Sequence, residues 1–108
     1  MASKERLKAL QEMLAKDPND TFTRYALALE QNGLGELEEA IATLKEVIQR
    51  DPRYLAAYQQ IGQIYYKRNN SREAKRYLRK GIEVAVEKND IHAKQEMEEV
   101  LEEIEDEW

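Results

Sequence analysis

Apolar side chains recur every three or four residues along this chain, in stretches that are separated by short polar turns. Such spacing places them on one face of an α-helix, whereas a strand would show strict alternation. One predicted helix begins at Thr21 and runs into the glycines of segment 33–35, which favour a helix end. The next ends at Asp51-Pro52, because proline cannot continue a helix. Its apolar positions are Leu37, Ala40, Ile41, Leu44, Val47 and Ile48. The pattern therefore predicts an all-α fold.

The whole pattern returns with a period of 34 residues. Asp17-Pro18 recurs as Asp51-Pro52, and Ala40 recurs as Ala74. Further series at the same offset are Leu10, Leu44 and Leu78, then Leu14, Ile48 and Ile82, then Glu5, Glu39 and Glu73. Self-similarity at one fixed offset is typical of helical-repeat proteins, in which stacked units bury a common core.

The repeat divides residues 1–108, which we expect to form a single domain, into four predicted segments. Residues 3–16 match the second half of a unit, residues 21–54 and 55–88 are two full units, and residues 90–107 form a terminal helix. Asn70 or Ser71 can cap the helix that follows, and Asn70 with Glu73 has the spacing of a capping box. The terminal helix has an apolar face and a glutamate-rich face, as the end of a stack requires. We expect about six helices.

The 34-residue unit resembles the tetratricopeptide repeat (TPR), a helix–turn–helix with preferred residues at eight positions. With position 1 at Thr21 the matches are Leu27, Ala28, Ala40, Leu44 and Pro52, and with position 1 at Leu55 they are Tyr58, Ile61, Gly62, Tyr65, Ala74 and Leu78. The departures are Arg24, Gln31, Val47, Gly81 and Val86. The resemblance implies a right-handed α-solenoid of antiparallel helix pairs, with small residues such as Ala40 and Ala74 where helices approach closely.

Composition narrows the functional classes. The net charge of −5 disfavours a nucleic-acid partner, because phosphates are bound by basic surfaces. The chain has no cysteine, which excludes disulfides and thiolate metal sites. No apolar run approaches the ~20 residues that span a bilayer. We therefore expect no membrane partner and a cytoplasmic location.

Candidate chemistry is sparse. His92 is the only histidine, and without a second histidine or a cysteine we expect a surface residue rather than a metal ligand. Gly33 and Gly35 lack the third glycine and the preceding strand of a dinucleotide-binding loop. Phe22 stands where a calcium loop beginning at Asp17 would need glycine. We expect no metal, no cofactor and no enzyme activity.

Charge is distributed unevenly along the chain. Residues 87–108 hold ten acidic and two basic side chains, a composition that suits a solvated outer face. A basic cluster in the second unit comprises Lys67, Arg68, Arg72, Lys75, Arg76, Arg79 and Lys80. Two interpretations of this cluster stay open. It is either the outer face of a helix, partly neutralised by the acidic end, or a docking surface for an acidic partner segment.

The resemblance also implies a binding surface. TPR arrays present positions 2, 5, 9, 12 and 13 of their first helices along a concave groove, and the helical period puts 5, 9 and 12 on one stripe. Here these residues are Phe22, Tyr25, Leu29, Asn32 and Gly33 in the first unit, and Ala56, Gln59, Gln63, Tyr66 and Lys67 in the second. Aromatic and amide groups suit a peptide held by apolar anchors and hydrogen bonds. Phe22 and Tyr25 have an alternative role, which is packing against the first helix.

TPR domains that serve chaperones hold a terminal carboxylate with a clamp of Lys, Asn and Arg, but Tyr25, Leu29 and Gln60 stand at three clamp positions here. We therefore expect no binding of a chaperone C-terminal tail by that clamp. The predicted function is a protein–protein interaction module, or scaffold, for a peptide or helix of an unidentified partner. The alternative is a structural domain that forms a homodimer through the groove or a stack end. The sequence leaves open whether the chain is part of a longer array.

Overall fold

The computed structural model describes residues 1–106. Within that range the chain forms six α-helices and no strand: α1 (Lys4–Lys16), α2 (Thr21–Gly33), α3 (Leu37–Arg50), α4 (Leu55–Lys67), α5 (Ser71–Glu87) and α6 (Ile91–Glu105). The prediction of an all-α fold with about six helices is confirmed. The expected terminal helix continues to Glu105, and residue 107, which was expected to belong to it, lies outside the described residues.

Helix packing divides the chain into two compact units, whose bounds differ from those of the 34-residue repeats; from here on, 'unit' means one of these two. The first unit, Met1–Pro52, contains α1, α2 and α3, and the second unit begins at Arg53 and contains α4, α5 and α6. In the first unit α2 packs against both α1 and α3, and in the second α5 packs against both α4 and α6. Each unit therefore holds one helix pair of the 34-residue repeat, α2 with α3 or α4 with α5, and one further helix.

Three helices end in the same kind of turn. Gly35, Asn69 and Asn89 have positive φ angles of 81°, 60° and 57°. After each of them, a backbone N–H donates to the carbonyl five residues earlier at 2.9 Å; the pairs are Glu36 to Gln31, Asn70 to Tyr65 and Asp90 to Ala85. Glycine and asparagine are the residues that best tolerate this left-handed conformation, so the sequence determines where α2, α4 and α5 stop.

Helix starts are set by short polar side chains. The side chains of Ser3, Asp20, Asn70 and Asp90 each accept a hydrogen bond from the N–H three residues later. Each bond satisfies one of the N–H groups that have no partner inside the helix. Of the two residues expected to cap α5, Asn70 and Ser71, the structure shows Asn70. Because Val86 stands where the repeat prefers proline, α5 continues to Glu87 and is 17 residues long.

Small residues are buried between the packed helices. Ala40 and Ala74 are fully buried. A Cβ atom added to Gly62 would lie 2.7 Å from Cγ of Leu78, and one added to Gly81 would lie 2.7 Å from Cβ of Tyr58. Carbon atoms cannot approach to such distances, so α4 and α5 keep their spacing only because these positions lack a side chain. The expected packing role of the small residues is confirmed.

Candidate functional site on α2 and α4

The predicted binding residues of the first unit share one side of α2. Phe22 is 69% exposed and Leu29 is 39% exposed. Tyr25 and Asn32 are half-buried, and Gly33 is exposed. The opposite side of the helix carries the buried residues Thr23, Arg24, Leu27, Ala28, Glu30 and Gln31. The ring of Phe22, which had packing against α1 as an alternative, presents most of its surface to solvent.

Asn32 is less available than its position in the repeat suggests. Its side-chain oxygen, Oδ1, is buried, and no hydrogen-bond donor among residues 1–106 reaches it. A partner on this side of α2 would therefore meet the remainder of the side chain rather than the amide oxygen. The apolar residues Phe22 and Leu29 are the more accessible contacts.

The predicted binding residues of the second unit share one side of α4. Ala56 and Lys67 are exposed, and Gln59, Gln63 and Tyr66 are half-buried. The residues packed into the unit are Ala57, Tyr58, Ile61, Gly62, Ile64 and Tyr65. The outward side of α4 thus offers amide groups and a phenol ring, which are suited to hydrogen bonding.

These two helices differ from the others in charge. The two charged residues of α2, Arg24 and Glu30, are only 4% and 7% exposed, so its outward side is uncharged. The one charged residue of α4 is Lys67, in its last turn. In α5, by comparison, eight of the 17 residues are charged. Depletion of charge with enrichment of aromatic residues is typical of the centre of a protein interface.

Glu30 is turned inward by two donors of the first unit. Its Oε2 accepts a hydrogen bond from the backbone N–H of Ser3 at 2.9 Å, and its Oε1 accepts one from Nη1 of Arg6 at 3.1 Å. The Ser3 N–H, assisted by the Arg6 guanidinium, holds the pKa of the Glu30 carboxyl below its usual value, against the opposing effect of desolvation. The segment before α1 is thereby attached to α2.

Arg24 and Gln31, like Thr23, are further buried polar residues that the sequence did not identify as such. Nη2 of Arg24 donates to the Pro18 carbonyl at 2.6 Å, and its Nε lies 3.5 Å from the Glu46 carboxylate. Gln31 accepts a hydrogen bond from the hydroxyl of Thr43 at 2.7 Å. Both residues stand at repeat positions that prefer aromatic residues, and this departure was the one available signal of an unusual core.

Other candidate chemistry lies apart from this surface. His92 is exposed, and its Nε2 lies 3.5 Å from a carboxylate oxygen of Glu96. Residues 1–106 contain no group of three histidine, aspartate or glutamate side chains placed to hold a metal ion. Over the same range, no helix has the length and apolar character needed to cross a membrane.

The basic cluster lies mainly on α5, where several of its members are held in place. Nε of Arg76 lies 2.9 Å from the Glu73 carboxylate, and its guanidinium sits 4.7 Å from the centre of the Tyr77 ring. The hydrogen bond from Arg76 to Glu73 and the charge of that carboxylate raise the pKa of the guanidinium. Arg79 contacts Glu105 of α6 at 2.7 Å. The acidic end of the chain therefore neutralises part of the cluster, but not all of it.

Comparison with known proteins connects this architecture to a family. Two family models described as tetratricopeptide repeat match residues 1–60 and 32–97. A TPR repeat-containing protein of Pseudomonas aeruginosa is 25% identical over 91 residues, which cover 84% of this chain and 87% of that protein. Both results concern the same repeat pattern that defines the helix pairs.

Solved structures agree with the sequence comparison. A tetratricopeptide repeat domain protein from Salinibacter ruber superposes with a TM-score of 0.80 at 32% identity, covering 85% of this chain and 93% of that chain. YrrB, a TPR protein described as having an unusual peptide-binding site, gives a TM-score of 0.78 at 25% identity and covers 89% of this chain and 48% of its own. With helix pairs of the expected length and both family models matching more than half of the sequence, the chain belongs to the tetratricopeptide repeat family.

Proposed function

We propose that this protein is an interaction module that binds a peptide or helix of a partner protein through the outward side of α2 in the first unit, and that the outward side of α4 in the second unit is a contact surface in its own right. The observation that carries the proposal is the absence of exposed charge on α2 and its near absence on α4, in a chain that is 36% charged. Removing water from a charge costs free energy, so an uncharged aromatic and amide surface is the one that a partner covers most readily.

The two helices would contribute different contacts. Phe22 and Leu29 on α2 would be the apolar anchors, since burying a phenylalanine side chain contributes about 1.5–3 kcal/mol. Gln59, Gln63 and Tyr66 on α4 would supply hydrogen bonds to the backbone or polar side chains of the ligand. Membership of a family of interaction modules supports this assignment, as does the peptide-binding site described for YrrB.

The test uses peptides selected from a random library on the folded protein, with their affinities measured by fluorescence anisotropy. Phe22→Ala is expected to weaken binding by about tenfold or more, since a buried aromatic anchor would be lost. Tyr25→Ala and Gln63→Ala are also expected to weaken it. Phe22 is mostly exposed in the free protein, so its replacement should leave the helical circular dichroism spectrum unchanged.

Matched control substitutions lie on other helices. Met13→Ala removes an exposed apolar side chain of α1, and Gln49→Ala removes an exposed amide of α3. Neither should change the affinity. Selected peptides that respond to Met13→Ala or Gln49→Ala, but not to Phe22→Ala or Gln63→Ala, would show that binding occurs elsewhere and would refute the proposal.

The proposal includes no catalytic step and no cofactor, and it retains the cytoplasmic location expected from the sequence. The alternative is a structural domain that forms a homodimer through the groove or through a stack end. Sedimentation at about 500 mM NaCl, where exposed ion pairs are screened, tests the groove dimer: self-association through α2 would be present in the wild type and lost in Phe22→Ala, whereas without that dimer the two proteins would sediment alike.

A further inference from the structure

The outward side of α5 carries a stripe of exposed residues spaced four and three positions apart, which places them along one side of the helix. In chain order the stripe is Arg72, Arg76, Arg79, Glu83 and Val86. The four charged members, together with Lys80, line a shallow surface depression. Val86 is 54% exposed although it is apolar. Three positive charges, one negative charge and one apolar residue thus follow one another along α5.

α6 carries a second stripe, whose residues are also three or four positions apart. Counted from its C-terminal end backward, this stripe is Glu105, Glu102, Glu98, Lys94 and Ile91. Lys94 is half-buried and the other four residues are exposed; Ile91 is 66% exposed. Its order is three negative charges, one positive charge and one apolar residue. The α6 stripe is therefore the charge complement of the α5 stripe, position by position.

The two stripes border one another and run in opposite directions, because a short turn joins α5 to α6 and the helices pack together. The contact between Arg79 and Glu105 at 2.7 Å marks the border, and both side chains are about half exposed there. Part of this charge is already paired inside the chain, because Lys94 lies 3.0 Å from Glu98 and Arg76 lies 2.9 Å from Glu73. Among residues 1–106, neither Arg72 nor Glu102 forms an ion pair, so these two charges remain available to a second copy.

We propose that this α5–α6 surface pairs with the same surface of a second copy of the chain, so that α5 of each copy covers α6 of the other. A two-fold axis along the border between the helices brings the arginines of one copy over the glutamates of the other. The same operation places Glu83 opposite Lys94 and Val86 opposite Ile91. Every contact occurs twice, as two-fold symmetry requires.

A second copy fits this surface better than an unrelated acidic segment does. An acidic segment would match the arginines of α5, but it would leave the glutamates of α6 beside it without a counter-charge and would oppose them. A second copy supplies an opposite charge for each charged residue of both stripes, and it places Val86 against Ile91. Exposed ion pairs contribute little individually and are screened by salt, so the dimer should be weak and sensitive to ionic strength.

Sedimentation velocity over a concentration series tests this proposal, which concerns a different surface from the peptide site and does not depend on it. At about 20 mM NaCl the sedimentation coefficient should rise with concentration toward the dimer value, and at about 500 mM NaCl the rise should be lost, since the Debye length falls to a few Å. A sedimentation coefficient that does not change with concentration at low salt would overturn the proposal.

Charge reversal on one stripe at a time gives a sharper test. The variant Arg72→Glu with Arg76→Glu, and the variant Glu102→Lys with Glu105→Lys, should each dimerise at least about tenfold more weakly alone, because like charges would face one another. An equimolar mixture of the two should dimerise at low salt, since opposite charges again meet at every position. Loss of folding cannot produce this rescue.

Two control variants distinguish contacts of the α5–α6 surface from a general effect of net charge. Lys8→Glu with Lys16→Glu makes the same change of net charge on α1 as Arg72→Glu with Arg76→Glu makes on α5, and this control should still dimerise. Val86→Ser changes no charge and should still weaken the dimer at about 20 mM NaCl, because the apolar contact with Ile91 would be lost. If the mixture of the two charge-reversed variants stays monomeric, the α5–α6 surface is not the interface. The same follows if Phe22→Ala dissociates the dimer and Val86→Ser does not.

Discussion

Glu30 shows how a single polar contact contributes both to stability and to the proposed binding surface. Its carboxylate faces the Ser3 N–H and the Arg6 guanidinium instead of solvent. The outward side of α2 stays uncharged for this reason, and the segment before α1 is held at the same time. A charge at this position that pointed outward would have to be desolvated by any partner covering α2.

The lowered pKa of Glu30 predicts a pH-dependent contribution to the free energy of unfolding. Because the pKa is lower in the folded state, the contribution is fully present above the usual value of 4.5 and is lost as the pH falls through the folded-state pKa. Glu30→Gln should therefore be less stable than the wild type at pH 7. The difference should shrink in acid, which urea denaturation at a series of pH values measures.

The matched control for this experiment is Glu12→Gln, which makes the same change of net charge on the exposed side of α1. If Glu30→Gln lowers stability only as much as Glu12→Gln at pH 7, net charge accounts for the effect. A difference between wild type and Glu30→Gln that does not vary with pH would contradict the role assigned to the ionised carboxylate.

The partners of the buried polar residues in the first unit could not be predicted from the sequence. The repeat pattern identifies positions 24 and 31 as core positions, but it does not identify what a polar side chain will bond there. The partners of Arg24 are Pro18 and Glu46, which precede α2 or lie on the next helix. Such contacts depend on how helices pack, and local sequence does not encode that packing directly.

Helix boundaries, in contrast, follow from local chemistry and could be predicted. Proline, glycine and asparagine at the turns, and short polar side chains at the helix starts, act through bonds to residues within one or two turns. Gly35 and Asn69 end α2 and α4 for the same reason, although one is glycine and the other is not. The sequence therefore determines the six elements more sharply than it determines the side-chain contacts between them.

Packing around α5 leads to a prediction about Gly81. Glycine inside a helix is less favourable than alanine by about 0.5–1 kcal/mol, so local propensity alone would make Gly81→Ala stabilising. The added methyl group would lie 2.7 Å from Cβ of Tyr58 on α4 and 2.6 Å from Sδ of Met97 on α6. We expect a net loss of about 1–3 kcal/mol in the free energy of unfolding, because the core is overpacked.

A double-mutant cycle with Met97 checks the cause of that loss. Met97→Ala opens space on α6, so Gly81→Ala should cost less in that background than in the wild type. Tyr58 contributes its Cβ, which cannot move without the backbone, so part of the cost should remain. If Gly81→Ala raised the stability in urea denaturation, the close approach of the three helices would not be what requires glycine here.

At the scale of the molecule, the helices differ in how much charge their outward sides carry. The outward sides of α2 and α4 carry almost none, while α5 and α6 carry stripes of opposite sign. The location of the α2 and α4 surfaces could be predicted from helical periodicity and from the family resemblance. The predicted residues on α2 are all uncharged, but the contacts that hold the Glu30 carboxylate inside could not be predicted, because they depend on how α1 packs against α2.

This distribution of charge also predicts what the protein does not bind. A chaperone tail ending in Glu-Glu-Val-Asp presents carboxylates that require cations or strong donors. On α2 the clamp positions hold Tyr25 and Leu29, and the one arginine of that helix already donates to the Pro18 carbonyl. Calorimetric titration with this peptide should show no binding tighter than about 1 mM.

A peptide with an amidated C-terminus provides the control, because a carboxylate clamp distinguishes it from the free acid whereas non-specific contacts do not. We expect the two forms to behave alike. A chaperone-binding TPR domain titrated in parallel should prefer the free acid, which verifies that the assay detects the clamp. Micromolar binding of the free acid by this chain, lost on amidation, would show that cationic groups outside the expected positions can assemble a carboxylate site, and the uncharged character of the α2 surface would no longer define its ligand.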